Sequence, residues 1–169
     1  MDSLIRSLNT EEGLAKNIAH QSEGSYRKAL DLLKQGSEDM RFEAWFIAWV
    51  RTAFQAKSNK QSINNLMAWS LEISKAGREI QKQFLDYSLK FFRQAMLYNY
   101  GAKSLVLIKL NDKSFKMENF APYIGALNIS KISNEIELAS YHIERNGNAK
   151  IILTDLSIKL TRLLHLKES

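Results

Sequence analysis

The apolar residues between positions 42 and 54 constrain the fold of this chain more than any other feature. They follow one another at spacings of 3, 1, 3, 1, 3 and 1, the pattern of an α-helix with one wide apolar face. The residues of this face are Phe42, Trp45, Phe46, Trp49, Val50, Ala53 and Phe54. Aromatic rings also stack on bases in single-strand binders, but the strict helical spacing favours a role in the core. We predict that this helix forms the centre of the hydrophobic core.

Residues that interrupt helices are scarce in this sequence. Glycine and proline together make 7 + 1 = 8 of 169 positions, about 5%, where average usage is roughly 12%. This composition argues against a turn-rich sandwich or barrel and favours long helices. Cysteine is absent, which excludes a disulfide scaffold, thiolate catalysis and a cysteine-ligated metal site. The expected fold class is all-α.

The sequence shows no sign of a membrane span or a secretory signal. Its longest purely apolar run is the seven residues 44–50, whereas a span needs about 20, and the first residues lack a signal-peptide pattern. We therefore expect a soluble, cytoplasmic protein with no membrane partner.

Two glycines suggest how the first part of the chain is organised. Thr10 is a suitable N-cap for a helix that ends at Gly24, and Ser25 is a suitable N-cap for a helix that ends at Gly36. Residues 1–36 carry five basic and five acidic residues, so the formal net charge of +6 lies in residues 37–169. We expect 1–36 to be a small helical appendage and 37–169 to be the main domain.

The rest of the chain predicts a bundle of five to six helices. After a polar break at 56–62, one helix is expected before Gly77 and a second from about Arg78 to Tyr100. The apolar run 105–110 is expected to be a buried irregular connection, and 114–125 a short helix that Pro122 interrupts. The last two helices are predicted to begin at the N-caps Asn128 and Asn148, the first with Ile129, Ile132, Ile136, Ala139 and Ile143 along one seam.

Sequence motifs for chemistry are absent. No phosphate-binding glycine loop, dinucleotide fingerprint or nucleophile elbow occurs. His20, His142 and His165 lie on different predicted helices, so we expect no metal site. The lysines are scattered over several helices and loops, which is more typical of a solvated surface than of a groove that follows a phosphate backbone. A basic helical domain that binds nucleic acid directly remains the alternative suggested by the net charge.

Three stretches of the sequence carry a resemblance to a known family. Residues 24–30 (GSYRKAL) resemble the Gly-x-x-Arg-x-x-Leu opening of the sensor-2 helix in the lid of AAA+ clamp-loader ATPases. Residues 77–85 (GREIQKQFL) and 143–151 (IERNGNAKI), with 120–123 (FAPY) between them, resemble signatures of one clamp-loader subunit family. In this order, and over essentially the whole chain, they resemble the C-terminal region of the delta-prime subunits of the bacterial DNA polymerase III clamp loader.

The resemblance implies both an architecture and a function. Residues 1–36 would be an AAA+ lid-like helical segment and 37–169 a collar, the domain through which clamp-loader subunits oligomerise. The nucleotide-binding core of the family would lie upstream, so we expect a portion of a longer subunit, without a cofactor here and with ATP possible only beside that core. The implied function is non-catalytic assembly with the delta and gamma/tau subunits within the DNA polymerase III holoenzyme, a DNA-directed DNA polymerase. The assembly loads the sliding clamp, and primed DNA is contacted indirectly.

The resemblance also singles out candidate site residues. Arg27 aligns with the sensor-2 arginine, which contacts nucleotide phosphates in AAA+ proteins; the alternative is that it pairs with a carboxylate or caps its own helix end. The other candidates are Gly24, Gly77, Arg78, Gln81, Arg145 and Asn146. Arginine and asparagine at helix ends satisfy unpaired backbone groups, so we expect these residues to fix helix junctions, with a subunit-interface role as the alternative.

Overall fold

The computed structural model describes residues 18, 20, 21 and 25–166. This part of the chain contains six α-helices and no β-strand, so the predicted all-α fold is confirmed. The elements are α1 (Tyr26–Ala56), α2 (Lys60–Ser74), α3 (Arg78–Asn99), α4 (Met117–Phe120), α5 (Ile129–Glu144) and α6 (Ala149–Leu164), with 3₁₀ turns at Lys103–Leu105 and Ala121–Tyr123. The helix predicted between Thr10 and Gly24 lies mostly outside the described residues; 18, 20 and 21 are helical.

The first long helix corrects the prediction that Gly36 ends a helix. α1 runs through Gly36 for 31 residues in all, and Gly36 stays outside the left-handed region of φ. A glycine ends a helix where the chain turns left-handed, whereas in a helix interior it costs only about 1 kcal/mol relative to alanine. The chain forms two compact units, Met1–Arg41 and Phe42–Ser169, so the division between them falls within α1.

The described part of the first unit contains a small apolar cluster, and three of its four members lie on α1. Its members are Ile18, Ala29, Leu32 and Leu33, of which Ile18 and Ala29 are buried. The start of α1 is capped as predicted, because the Ser25 hydroxyl accepts a hydrogen bond from the backbone N–H of Lys28 at 3.4 Å. The Ser25 carbonyl also accepts the first helical bond, from Ala29 at 3.0 Å.

The second unit is built around the aromatic face of α1, as predicted. Phe46 and Trp49 are fully buried; Phe46 stacks on Phe91 of α3 at 4.1 Å between ring centroids, and Trp49 stacks on Trp69 of α2 at 5.0 Å. The buried indole N–H of Trp49 donates to the Ser157 hydroxyl of α6 at 2.9 Å. Full burial of one large apolar side chain stabilises a fold by about 1.5–3 kcal/mol. The aromatic face of α1 therefore forms the centre of the core of the second unit.

The connection at 105–110 is irregular, as predicted, but the prediction that it is buried is wrong. Leu105 and Leu107 are 58% and 79% exposed, respectively, whereas Val106, Ile108 and Leu110 are half-buried. In an extended chain successive side chains point to opposite sides. Only every second residue of the apolar run can therefore face the core.

The short helix predicted over 114–125 is shorter than expected. α4 covers only Met117–Phe120, and Pro122 lies near the start of the 3₁₀ turn that follows it. A proline is tolerated in a first turn, where its missing N–H removes no hydrogen bond. Phe115 and Phe120 are buried as part of the aromatic core, whereas Tyr123 is 49% exposed.

The last two helices match their predicted bounds, but only one of their predicted caps is a cap. The Asn148 side chain accepts from the N–H of Ile151 at 3.1 Å, which confirms the N-cap of α6. Asn128 occupies the N-cap position of α5 without a capping bond from its side chain. This buried amide instead accepts from the Gly125 N–H at 3.0 Å and donates to the carbonyls of Tyr123 at 2.7 Å and Leu163 at 3.0 Å. It thereby ties the start of α5 to the end of α6.

The seam predicted for α5 is confirmed. Ile132, Ile136, Ala139 and Ile143 are buried, and Ile129 packs half-buried against the same core.

Candidate functional site

The two signature stretches in the second unit meet in space. Arg78, the first residue of α3, donates a hydrogen bond from its guanidinium to the Asn146 side-chain carbonyl in the turn between α5 and α6. One turn further along α3, the Lys82 ammonium lies 3.3 Å from the Glu144 carboxylate. We call Arg78, Lys82, Glu144 and Asn146 the α3–α5 junction.

The turn after α5 is formed by Asn146 and Gly147. Asn146 adopts a φ of 65°, in the left-handed region that asparagine enters more readily than most residues. Its N–H donates to the Ile143 carbonyl at 3.1 Å, and the N–H of Gly147 donates to the His142 carbonyl at 2.9 Å. These two bonds form a Schellman motif, which satisfies the last carbonyls of the helix. Asn146 therefore ends α5 and also accepts from Arg78.

The turn between α2 and α3 is fixed by Gly77 and Gln81. Gly77 precedes α3 with φ 86° and ψ 155°, a conformation that is essentially restricted to glycine. Gln81 is buried, and its amide donates to the carbonyls of Ile73 at 3.2 Å and Ser74 at 3.0 Å, at the end of α2. Gln81 thereby ties the first turn of α3 to the end of α2.

Two of the candidate arginines lie apart from these contacts. The Arg145 guanidinium packs over the ring of Tyr141 in its own helix, 4.4 Å from the ring centroid. Arg27 is exposed in the first turn of α1, and Gly24 lies outside the described residues. The sensor-2 role of Arg27 stays a prediction, as does the alternative that it pairs with a carboxylate or caps its own helix end.

Sequence reasoning missed a buried carboxylate, Glu43. The side chain is 4% exposed and accepts hydrogen bonds from the backbone N–H groups of Asn111 at 2.9 Å and Asp112 at 2.6 Å. The Asn111 amide donates to it as well, at 3.0 Å. Glu43 thereby anchors the end of the 105–110 segment to α1. Its signal in the sequence is a charged residue one helical turn before the buried pair Phe46 and Ile47.

The exposed face of α2 contains a row of apolar side chains among polar ones. Ile63, Met67 and Leu71 recur every four residues and are 41%, 43% and 40% exposed, so they form one continuous stripe on the helix surface. We call these three residues the α2 stripe. α2 packs directly on α6, whose Ile151 and Ile158 are also exposed. Single exposed apolar residues are ordinary, whereas contiguous apolar surface is typical of a binding site.

Several cations of the second unit are paired with carboxylates. Lys159 of α6 lies 2.8 Å from Glu135 and 2.9 Å from Asp155. Hydrogen bonds to Glu135 first and Asp155 second raise the pKa of the Lys159 ammonium. Among the described residues of this unit, Lys82 also pairs with Glu144, Lys90 with Asp86 and Arg93 with Glu137. Paired cations have less free charge to offer to a phosphate backbone.

The described residues bring together no group of three or more histidine, cysteine, aspartate or glutamate side chains suited to a metal ion. None of the helices in this part of the chain combines the length and apolarity that a membrane span needs. An open depression of about 470 Å³ lies between α3 and α5, and its lining includes Arg93, Ser133 and Glu137 but no histidine or cysteine. The lining offers no pairing of a nucleophile with a histidine base.

Comparison with known proteins identifies no relative of this chain. No protein-family profile, no curated protein sequence and no solved structure matches the chain.

Proposed function

We propose that this chain is the lid and collar region of a clamp-loader subunit of the delta-prime type. Its role is to assemble with the delta and gamma/tau subunits, so that the complete clamp loader can place the sliding clamp on primed DNA during replication. The chain itself supplies packed helices rather than catalysis. Nucleotide would bind only to a core domain that is not among these residues.

The α2 stripe is the observation that carries this proposal. A collar holds its neighbours by helix packing, which requires an apolar helix face that is not consumed by the subunit's own core. Ile63, Met67 and Leu71 supply such a face, and α2 carries only two charged residues, Lys60 and Glu72. The α3–α5 junction supports the proposal in a second way, because the two stretches that resemble the family form one contact.

A binding experiment tests the proposal. The chain is titrated with the separately purified C-terminal domains of the delta and gamma/tau subunits, and complex formation is measured by calorimetry and by size-exclusion chromatography with light scattering. We expect a complex at micromolar concentration. Met67→Glu should raise its Kd at least tenfold, which corresponds to about 1.4 kcal/mol, because the stripe would acquire a charge without a partner.

The matched control is Leu138→Glu on α5, since Leu138 is 45% exposed and lies outside the α2 stripe. This variant should bind like the parent chain. The proposal fails if no complex forms at micromolar concentration, or if both variants weaken binding equally. In the second case the loss would report added negative charge and not the stripe.

The role of Arg27 is tested on the full-length subunit that includes the core domain. The affinity for ATP is measured for that protein and for its Arg27→Ala form. A sensor that contacts phosphate directly should lose at least about tenfold in affinity, since charge-assisted hydrogen bonds to phosphate are strong. Equal affinities would remove the sensor role from the proposal.

A further inference from the structure

The segment 105–110 has the exposure pattern of a strand at the edge of a sheet. No β-strand in the described part of the chain pairs with it. Its side chains alternate between exposed (Leu105, Leu107, Lys109) and half-buried (Val106, Ile108, Leu110). Val106 has φ −82° and ψ 110°, in the extended region. The exposed apolar side chains are large, because Leu107 is 79% exposed.

The segment is held from one side only. The N–H of Leu107 donates to the Gln94 side chain of α3, and the N–H of Asn111 donates to Glu43 of α1. In an extended chain the N–H groups of every second residue point to the same edge, so this edge faces the body of the protein. The N–H groups of Ile108 and Leu110 then point to the opposite edge, where no described residue accepts from them. Unpaired strand edges are templates for another strand.

The stretch of sequence that contains this edge is basic. Residues 103–116 contain four exposed lysines and one acidic residue, so their charge is 4 − 1 = +3; the lysines are Lys103, Lys109, Lys113 and Lys116. The acidic residue, Asp112, is already engaged, since its carboxylate accepts from the Ser114 hydroxyl at 2.6 Å and N–H at 2.8 Å. These bonds lower the pKa of the Asp112 carboxyl. A partner strand with its own carboxylates would therefore meet complementary charge.

We propose that the edge of residues 106–110 binds an extended acidic segment of another polypeptide by strand addition. Backbone pairing with Ile108 and Leu110 would supply the affinity common to such complexes. Leu105 and Leu107 would contact apolar side chains on one face of the added strand, and the lysines would select carboxylates. A nucleic acid matches this surface less well, because it cannot pair with a strand edge and gains little from two exposed leucines. The proposal is independent of the α2 stripe.

The test uses the full chain labelled with ¹⁵N and three capped seven-residue peptides. In the first peptide the residues of one face are two valines followed by two glutamates, so that this face can meet both Leu107 and Lys109, and threonines occupy the three positions between them. The second has the same sequence N-methylated at every residue, which keeps the charges and removes all backbone donors. The third replaces glutamate by lysine. We expect only the first to shift the backbone amide signals of Ile108 and Leu110, with a Kd on the order of 100 µM, typical of a short weak contact.

Two variants locate the binding site. Leu107→Asp with Lys109→Glu should weaken binding of the first peptide at least tenfold, because it removes the apolar contact and reverses a charge at exposed positions. Leu138→Asp on α5 is the control and should leave the Kd unchanged.

Several results would overturn the proposal. These are no amide shifts with the first peptide, equal binding of the N-methylated or lysine peptide, and displacement of the first peptide by a 20-nucleotide single-stranded or duplex DNA. Shifts of the same amides that depend on protein concentration alone would also overturn it, because a second copy of the chain would then be the partner.

Discussion

At the scale of single residues, Gly147 has the least room for a side chain among the described glycines. A Cβ there would lie 2.7 Å from the Cδ1 of Ile152 and 2.8 Å from the carbonyl oxygen of His142. The carbonyl cannot withdraw, since it accepts the hydrogen bond from Gly147 that closes α5. We expect Gly147→Ala to lower the free energy of unfolding by about 1–3 kcal/mol, the usual cost of overpacking, as measured by urea denaturation.

Gly36 provides the contrasting substitution. Nothing lies within 4 Å of a Cβ built there, and its φ is not in the left-handed region. Gly36→Ala should therefore stabilise α1 by about 0.5–1 kcal/mol. In a thermal melt followed by circular dichroism, the variant should retain more helix than the parent chain at the same temperature. The steric argument is wrong if both substitutions change stability in the same direction.

The buried carboxylate of Glu43 gives a second prediction at this scale. Glu43→Gln keeps the size of the side chain but turns one acceptor into an NH₂ group that faces the N–H groups of Asn111 and Asp112. We expect a loss of about 1–3 kcal/mol in the free energy of unfolding, the cost of buried donors left without an acceptor. The control is Glu137→Gln, because Glu137 is exposed and lies 3.7 Å from Arg93, a surface pair that contributes only about 0–1 kcal/mol. Equal losses would show that the burial of Glu43 is unimportant.

Glu43 also shows where sequence reasoning at the residue scale stops. Its position relative to Phe46 and Ile47 indicates the buried side of α1, and a charge there needs a partner. That partner is backbone 68 and 69 residues later. Backbone donors are present at nearly every residue, so side-chain identity cannot reveal which of them a carboxylate will find.

At the scale of elements, hydrophobic period predicted the long helices of the second unit well. α3, α5 and α6 begin at the predicted residues because the period is clear and the flanking positions favour a helix start. Two of the errors have a common cause. Gly36 and the run 105–110 were interpreted from local composition, whereas the continuation of α1 and the exposure of Leu107 depend on what packs beside them.

The two predicted asparagine caps give a test at the same scale. Asn148→Ala removes one capping bond and should cost about 1 kcal/mol. Asn128→Ala should cost more, about 2–3 kcal/mol, because it leaves the Gly125 N–H and the Tyr123 carbonyl without their partner in a buried setting. Both free energies of unfolding are measured in urea. A larger loss for Asn148→Ala would show that Asn128 acts only as an ordinary cap.

At the scale of the whole molecule, the candidate site is assembled from parts that are far apart in the sequence. Arg78 and Asn146 are 68 residues apart, and they belong to two separate stretches that carry the family resemblance. Their contact was not predictable, because no pattern in the sequence states that α3 and α5 run side by side. The structure also shows how the positive charge is distributed. Carboxylates neutralise several cations, while the lysines at 103–116 stay exposed.

The salt dependence of binding distinguishes the proposed assembly from the alternative of direct DNA binding. A domain that neutralises 6–10 phosphates loses about 10³–10⁵ in affinity between 50 and 200 mM salt. Packing through Ile63, Met67 and Leu71 depends on apolar surface, which salt does not screen, so the Kd for the partner collar domains should change by less than about tenfold over the same range.

The association rate alone should fall, because the +6 charge contributes to steering. The Kd is measured by calorimetry. The association and dissociation rates are measured by stopped-flow fluorescence of the core tryptophans. A steep loss of affinity for the collar domains, matched by tight salt-sensitive binding to duplex DNA, would favour the nucleic-acid-binding function instead.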